Sequence, residues 1–494
     1  MNFTNQIISG FDTYAGRNAF CIEDQFCTYA DLRHKVSLIQ QALDEQFPEE
    51  QKIGIHASDH IETYAAIIAV LLSGKTYIPI HPNHPAERTE QIIAQSGLKI
   101  VLSGTPVVYL PTAIVTDTAV ICGQAAKAHL ITAVTPKAGD MAYILFTSGS
   151  TGIPKGVPIS YYNLDSFVDA FYKLGYAVTE QDKFLQMFDL TFDLSVMSWL
   201  IPLCLGSCVY TVSEKGMKYA NIYNIVTAHR ITFALMVPSV LSYLKPYFDE
   251  IDLPDLRYSL FCGEALYKET ITEWAKCVPG AVIENVYGPT EATIFCMTYP
   301  ITNLQEIADY HGIVSIGKPM DGMDAVVTGE NNTVLADGDK GELCLHGRQL
   351  TENYLNAGKN AGPFFILDDK KYYHTGDIAY KNEDGDFMYC GRVDNQVKIQ
   401  GFRVELSEIE YHLRNSPGNP NVVAIAIESF NGMNQVDIVF EGEPINTDKI
   451  INELKTKLPS YMLPSGIHFV PLFPLNTNGK TDRKALEKII NNSI

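Results

Sequence analysis

Three things are scarce in this chain, and each scarcity removes a class of protein. The ten cysteines are scattered without a CxxC pair, the nearest neighbours being Cys204 and Cys208, so spacing offers neither a zinc knuckle nor a disulfide framework. A reducing, cytoplasmic setting is expected. Basic residues are outnumbered, 37 Lys and Arg against 57 Asp and Glu, for a net charge of -20. So acidic a chain has no broad footprint for nucleic acid or an anionic membrane, and a polyanionic substrate would need local cations and metal ions. No apolar run is long enough to span a bilayer, and MNFTNQIISGFDTYAGRNAF lacks the basic region and apolar core of a signal peptide. No membrane insertion is expected.

What is present reads as an α/β protein. At 494 residues the chain exceeds what one core supports, which predicts a large domain with subdomains plus a smaller one. Helical spacing over 28–46, a strand in KIGIHAS, a helix in HIETYAAIIAVLLSGK, a strand in TYIPI, a helix from Pro85 and a strand in KIVLSG alternate. MAYILFTSGS, ITFALMVPSV, YSLFCGEAL and AVIENVYGPT continue the pattern, which implies layered parallel sheets covered by helices. From about 313 short strands and turns suggest a β-rich subdomain reaching 393. The remaining residues, 394–494, read as a small mobile α+β domain. There VKIQG is a strand, Ser407 and Glu410 fit a capping box ahead of IEYHLRN, and two strands, a helix and a terminal helix follow.

Glycines, hydroxyls and one lysine crowd FTSGSTGIPKG at 146. A Walker A loop requires Gly, four residues, then Gly-Lys-Ser/Thr, and this stretch fails that template because Gly156 follows Lys155. Thr147, Ser148, Gly149, Ser150, Thr151, Gly152 and Lys155 nonetheless suit phosphate oxygens better than packing. Other motifs stay ambiguous on their own. In NVYGPTEAT, Tyr287 is either a core cap or a ring for stacking a base, and Glu291 offers a carboxylate for Mg²⁺. Asp377 in YHTGDIAY is a turn residue or a ligand for ribose hydroxyls. Arg392 and Asp394 in GRVDNQVK fit a surface salt bridge, and Lys480 after an Asn-Gly turn fits a solvated lysine.

Their order along one chain resembles the adenylate-forming superfamily, and within it the adenylation domains of nonribosomal peptide synthetases and the D-alanine:D-alanyl carrier protein ligases. The likeness runs through TYADL at 28, GKTYIPIHPNHPAER at 74, FTSGSTGIPKG, FDLSVM at 192, YGPTEAT at 287, GELCLHG at 341, YHTGDIA at 373, GRVDNQVKIQGFRVELSEIE at 391 and NTNGKTDRKAL at 476. The resemblance implies two half-reactions: a carboxylate attacks the α-phosphorus of ATP, then a thiol takes the acyl group from AMP. It implies Lys480 as the cation bridging carboxylate and α-phosphate, Glu291 and Thr147 around Mg²⁺, and the loop at 146 as a clamp on the β- and γ-phosphates. Asn285, Tyr287, Gly288 and Thr290 would border adenine, and Asp377 and Arg392 the ribose. Asp394 falls at the family's hinge. Lys398 and Arg403 fall on the face where a pantetheine arm would pass, solvated surface charge being the alternative.

By the same match Asp193 holds the α-ammonium of an amino acid. Leu194, Met197, Leu235, Leu260, Cys262, Val286, Ile294 and Phe295 line the rest; all are apolar, so a polar side chain would enter without a partner and a small or medium apolar amino acid is expected. FDLSVM and FCGEAL resemble the D-alanine ligases, whereas Phe295 is bulkier than is usual there and Asn353 in TENYL stands where glycine is commoner. With no carrier domain after NGKTDRKAL, a separate phosphopantetheinylated carrier protein is the expected partner. A peptide-synthetase enzyme for another amino acid, an acyl- or aryl-CoA ligase, and a non-catalytic nucleotide-binding relative are the alternatives.

Overall fold

Apolar runs bounded by turn residues become strands buried on both faces, the signature of parallel sheets sandwiched between helices. Thr76–Ile80, Ile100–Ser103, Phe233–Met236 and Tyr258–Phe261 are buried at every position. Lys52–His56 pairs in parallel with Thr76–Ile80 and Ile100–Ser103. These three, with Ile114–Asp117, Met141–Thr147 and Lys155–Ser160, make a six-stranded sheet. A nine-stranded sheet has Lys183–Gln186, Phe233–Met236, Tyr258–Phe261 and Val282–Tyr287 in parallel at its centre and antiparallel strands at its edges. The computed structural model describes residues 2–105, 113–123, 131–137, 139–149, 152–213, 215–356, 358, 362–414, 421–429, 433–475 and 481–491. Ser150, Thr151 and Lys480 lie outside the described residues.

The helices follow from local signals. Thr28 caps Tyr29–Gln46 in a box with Asp31, and Leu32, Val36, Ile39 and Leu43 fall on one buried stripe. Ile61–Leu72 is apolar on almost every side and is buried accordingly. Each such fully buried Leu or Ile contributes about 1.5–3 kcal/mol.

The chain divides into two compact units. The larger comprises 1–82, 93–145 and 156–393, and holds the nine-stranded sheet together with a five-stranded antiparallel sheet running from Met323–Thr328 to Phe387–Arg392. The change of texture at 313 therefore precedes that sheet, because Lys318–Pro319 still pairs with Met297–Ile301. The smaller unit comprises 394–494 together with 83–92 and 146–155. Its core packs Val404, Ile409, Leu413, Val422, Ile438 and Leu454.

Three local expectations need correction. Helix Leu406–Arg414 starts one residue before Ser407, so Ser407 is not its cap. Glu410 is used elsewhere: its carboxylate accepts from the N–H of Ala424 at 2.9 Å and pairs with Arg483 at 2.6 Å. A third strand, Gly466–Val470, joins Asn434–Glu441 in parallel, and a helix, Phe3–Thr13, opens the chain. Among the described residues no helix is long and apolar enough to cross a membrane.

Candidate active site

In the larger unit, the antiparallel ladder between Lys370–Lys381 and Phe387–Arg392 makes Asp377 and Arg392 direct partners. Their side chains form an ion pair of 2.5 Å at about one-tenth exposure, so Arg392 is buried beside Asp377 and is no surface charge. The Tyr287 hydroxyl donates to the other Asp377 oxygen. Burial first, and then the Asp377 charge, push that phenol well above its ordinary range, which keeps it a neutral donor. Strand Val282–Tyr287 thus delivers a ring and strand Lys370–Lys381 a carboxylate to one place, 90 residues apart in sequence. Asn285 is fully buried, and its amide donates to the carbonyls of Val314 and Ser315, at 3.4 and 2.8 Å.

Sequence reasoning missed what holds Asp377. Glu342 accepts from the Gly376 N–H at 2.9 Å and from His374 Nδ1 at 2.8 Å, pinning both residues before the aspartate. Burial opposes the Glu342 charge, but His374 and the Gly376 N–H hold its carboxyl below the usual range. The Cys344 thiol and the Glu342 carboxylate beside it push the His374 imidazole up to about 10. A raised base stabilises the fold fully below its unfolded pKa of about 6.5, and that contribution is lost as pH climbs through the folded value. Thermal melts of wild type and His374→Gln should therefore differ by about 1 kcal/mol near pH 6, after allowance for half-exposure, and converge towards pH 10. A gap that stays constant with pH would show that the pair does not carry it.

The turn after Tyr287 is tightly built. A Cβ on Gly288 would lie 2.5 Å from the Phe295 Cα, so only glycine lets the two segments pass. Thr290 starts a single 3-10 turn to Ala292, and Glu291 is fully buried, its carboxylate accepting from the Tyr354 hydroxyl at 2.6 Å. Thr293 and Ile294 then adopt φ of +56° and +73°, a strained conformation for β-branched residues. The buried Gln349 amide holds them there by donating to the carbonyls of Ala292, Thr293 and Phe295.

Asp193 sits at the start of helix Leu194–Leu205, where its side chain makes no capping bond. It is buried, and its charge reaches the phenols of Tyr77 and Tyr143. The Tyr143 hydroxyl is buried without a hydrogen-bond partner. Leu194 and Met197 lie on the same helix. Leu235 and Leu260 are register partners on neighbouring parallel strands and so share a face. Cys262, Val286, Ile294 and Phe295 are equally buried in this core. The Phe295 ring lies edge-on to Phe167, with centroids 5.1 Å apart. Also unforeseen is a buried pair, His81 Nε2 to Asp189 Oδ2 at 2.6 Å. Burial works against the Asp189 charge, but the bonds from His81 and Thr191 hold it below the usual carboxylate range.

In the smaller unit Thr147, Ser148, Gly149 and Gly152 belong to the glycine-rich loop, and Lys155 opens the strand that leaves it. Asp394 begins the C-terminal segment, and its carboxylate accepts from the Gln396 N–H at 3.1 Å. Lys398 and Arg403 are cross-strand partners of one hairpin. Glu291 and Thr147 offer a carboxylate and a hydroxyl, hard oxygen donors that suit Mg²⁺.

A family model described as AMP-binding enzyme matches residues 11–355. The chain belongs to that family, the adenylate-forming superfamily, and is an adenylating enzyme whose nucleotide substrate is ATP. It is 31% identical to a D-alanine--D-alanyl carrier protein ligase of Lactiplantibacillus plantarum over 98% of this chain and 99% of that one. It is 32% identical to a linear gramicidin synthase of Brevibacillus parabrevis over 95% of this chain, which spans only 9% of that protein. The fold overlays on the Vibrio cholerae adenylation domain AlmE, crystallised with glycyl-adenosine-5'-phosphate, with a TM-score of 0.86 and 25% identity, covering 99% and 98% of the two chains.

Proposed function

We propose that the chain activates a small apolar amino acid, D-alanine foremost, and passes it to the phosphopantetheine thiol of a carrier protein in the cytoplasm. A substrate carboxylate oxygen bonds to the α-phosphorus of ATP, and pyrophosphate leaves with the bridging electrons. The thiol, losing its proton, then bonds to the acyl carbon, and AMP departs. The observation that carries this reading is Asp193, a buried carboxylate at a helix start that does not cap its helix and stands among apolar side chains. Such a charge favours a cation, and the α-ammonium of an amino acid supplies one. The unpartnered Tyr143 hydroxyl nearby adds a donor for the same substrate.

Asp377 takes the ribose hydroxyls, oriented by Arg392, while Tyr287, Asn285, Gly288 and Thr290 border the base. The loop from Thr147 to Lys155 receives the outer phosphates, and Lys480 bridges the reacting anions. Mg²⁺, held by Glu291 and Thr147, would offset phosphate charge when bound. The small domain turns at Asp394 between the half-reactions, and Lys398 and Arg403 flank the pantetheine arm.

ATP–pyrophosphate exchange across L- and D-amino acids, fatty acids and aryl acids tests the reading. Exchange supported by alanine and its small apolar neighbours is expected. Exchange supported only by acids without an amino group would overturn it in favour of a CoA-ligase-like enzyme.

A further inference from the structure

The loop that should receive phosphate already holds an anion from its own chain. Within the smaller unit, the Gly149 N–H donates to Glu408 Oε2 at 3.1 Å, and Arg88 Nη1 donates to Glu408 Oε1 at 2.9 Å. Glu408 and Arg88 are both almost fully buried. Around this contact, the Ser148 hydroxyl donates to the Arg403 carbonyl at 2.7 Å, and Gly152, at φ +74°, packs so closely that a Cβ there would lie 2.7 Å from the Tyr411 ring. Helix Leu406–Arg414 and the strand before it thus engage three features of the loop: a backbone donor, a hydroxyl and a glycine. A backbone N–H in a turn of glycine and hydroxyl residues is a seat for an anionic oxygen, and a carboxylate oxygen fills it as a phosphate oxygen would.

We propose that Glu408, held by Arg88, is a positioning residue that occupies the anion seat of the phosphate loop, so that its carboxylate and the terminal phosphates of ATP exclude each other. This rests on the ATP-dependent reading above and adds a second state to the loop. Two buried charges cannot be parted singly without leaving one unpaired, so the clasp opens as a unit, with both groups returning to water. Arg88 engages through Nη1 and leaves its Nε buried without a hydrogen-bond partner, a single-point pair that parts more readily than a two-bond fork. The apparent affinity for ATP is then its intrinsic affinity reduced by the fraction of loops standing open. AMP, lacking the outer phosphates, escapes that reduction. Once pyrophosphate has left, the clasp closes on the empty loop and keeps a second ATP out until the thiol has reacted.

Glu408→Gln in the full-length chain keeps the shape and removes the charge. Titration calorimetry with ATP alone and with AMP alone should show ATP binding tightened about ten-fold and AMP unchanged. The KM for ATP in pyrophosphate exchange should fall in the same proportion, with kcat within about three-fold. Glu408→Asp, one methylene too short to reach Arg88 and Gly149 together, should shift ATP the same way by less and covers the case in which the glutamine variant does not fold. Equal shifts for ATP and AMP, or none for ATP, would overturn the proposal. If no acid supports exchange while ATP and AMP still part company, the adenylation reading fails and the clasp stands.

Discussion

Replacing Lys480 with glutamine is expected to slow amino-acid-dependent ATP–pyrophosphate exchange by roughly 10²–10³-fold, while transfer from supplied aminoacyl-AMP to the carrier thiol stays within about three-fold of wild type. The asymmetry follows from charge. In the first half-reaction a carboxylate must approach a nucleotide polyanion, in a chain whose own net charge is -20, so the barrier is mainly repulsion and only a local cation lowers it. In the second, a thiol meets a carbonyl already activated by AMP, and the carboxylate charge is gone. Glutamine preserves length and some hydrogen bonding and removes only the charge. Quench-flow of the two steps, with thermal melts to show the fold intact, separates them. Equal slowing of both would remove Lys480 from the adenylation chemistry, and no slowing would do the same.

The strands and helices that carry the nucleotide centre were legible because their signals are local. KIGIHAS and ITFALMVPSV are short apolar runs between turn residues, and the structure has Lys52–His56 and Phe233–Met236 there. Local signals also mislead. Ser407 and Glu410 have the spacing of a capping box, but cap formation depends on where the helix begins, and partners far along the chain decided that Glu410 would serve Ala424 and Arg483. Strand Gly466–Val470 gave no pattern because four of its five residues are only half-buried. The supporting shell of the site was invisible for the same reason. Gln349 reaches carbonyls more than fifty residues away, Glu342 reaches His374 across a ladder, and Arg88 meets Glu408 from 320 residues off. Glu342 lies inside GELCLHG, a motif noticed for its resemblance, but a carboxylate opening a strand has no periodicity to reveal whom it will hold.

Asp193→Asn should cut exchange with the preferred amino acid by about 10²–10³-fold in kcat/KM and leave the response to the matching acid without an amino group nearly unchanged. The argument begins from burial. Asp193 is 4% exposed, and a carboxylate at such a position is costly to keep charged. The start of helix Leu194–Leu205 offsets part of that cost through its dipole, and the neutral phenols of Tyr77 and Tyr143 are polar groups its charge reaches. An arriving α-ammonium adds a full opposite charge, so the pair is strong where water is absent. Asparagine keeps the size and one acceptor and loses the charge, so the ammonium is buried with only a dipole opposite it. An acid without the amino group gains nothing from Asp193 and should lose nothing with it. If both acids fall together, Asp193 is holding the start of the helix in place; if neither falls, the ammonium binds elsewhere, and the apolar side chains around Asp193 surround something other than the substrate.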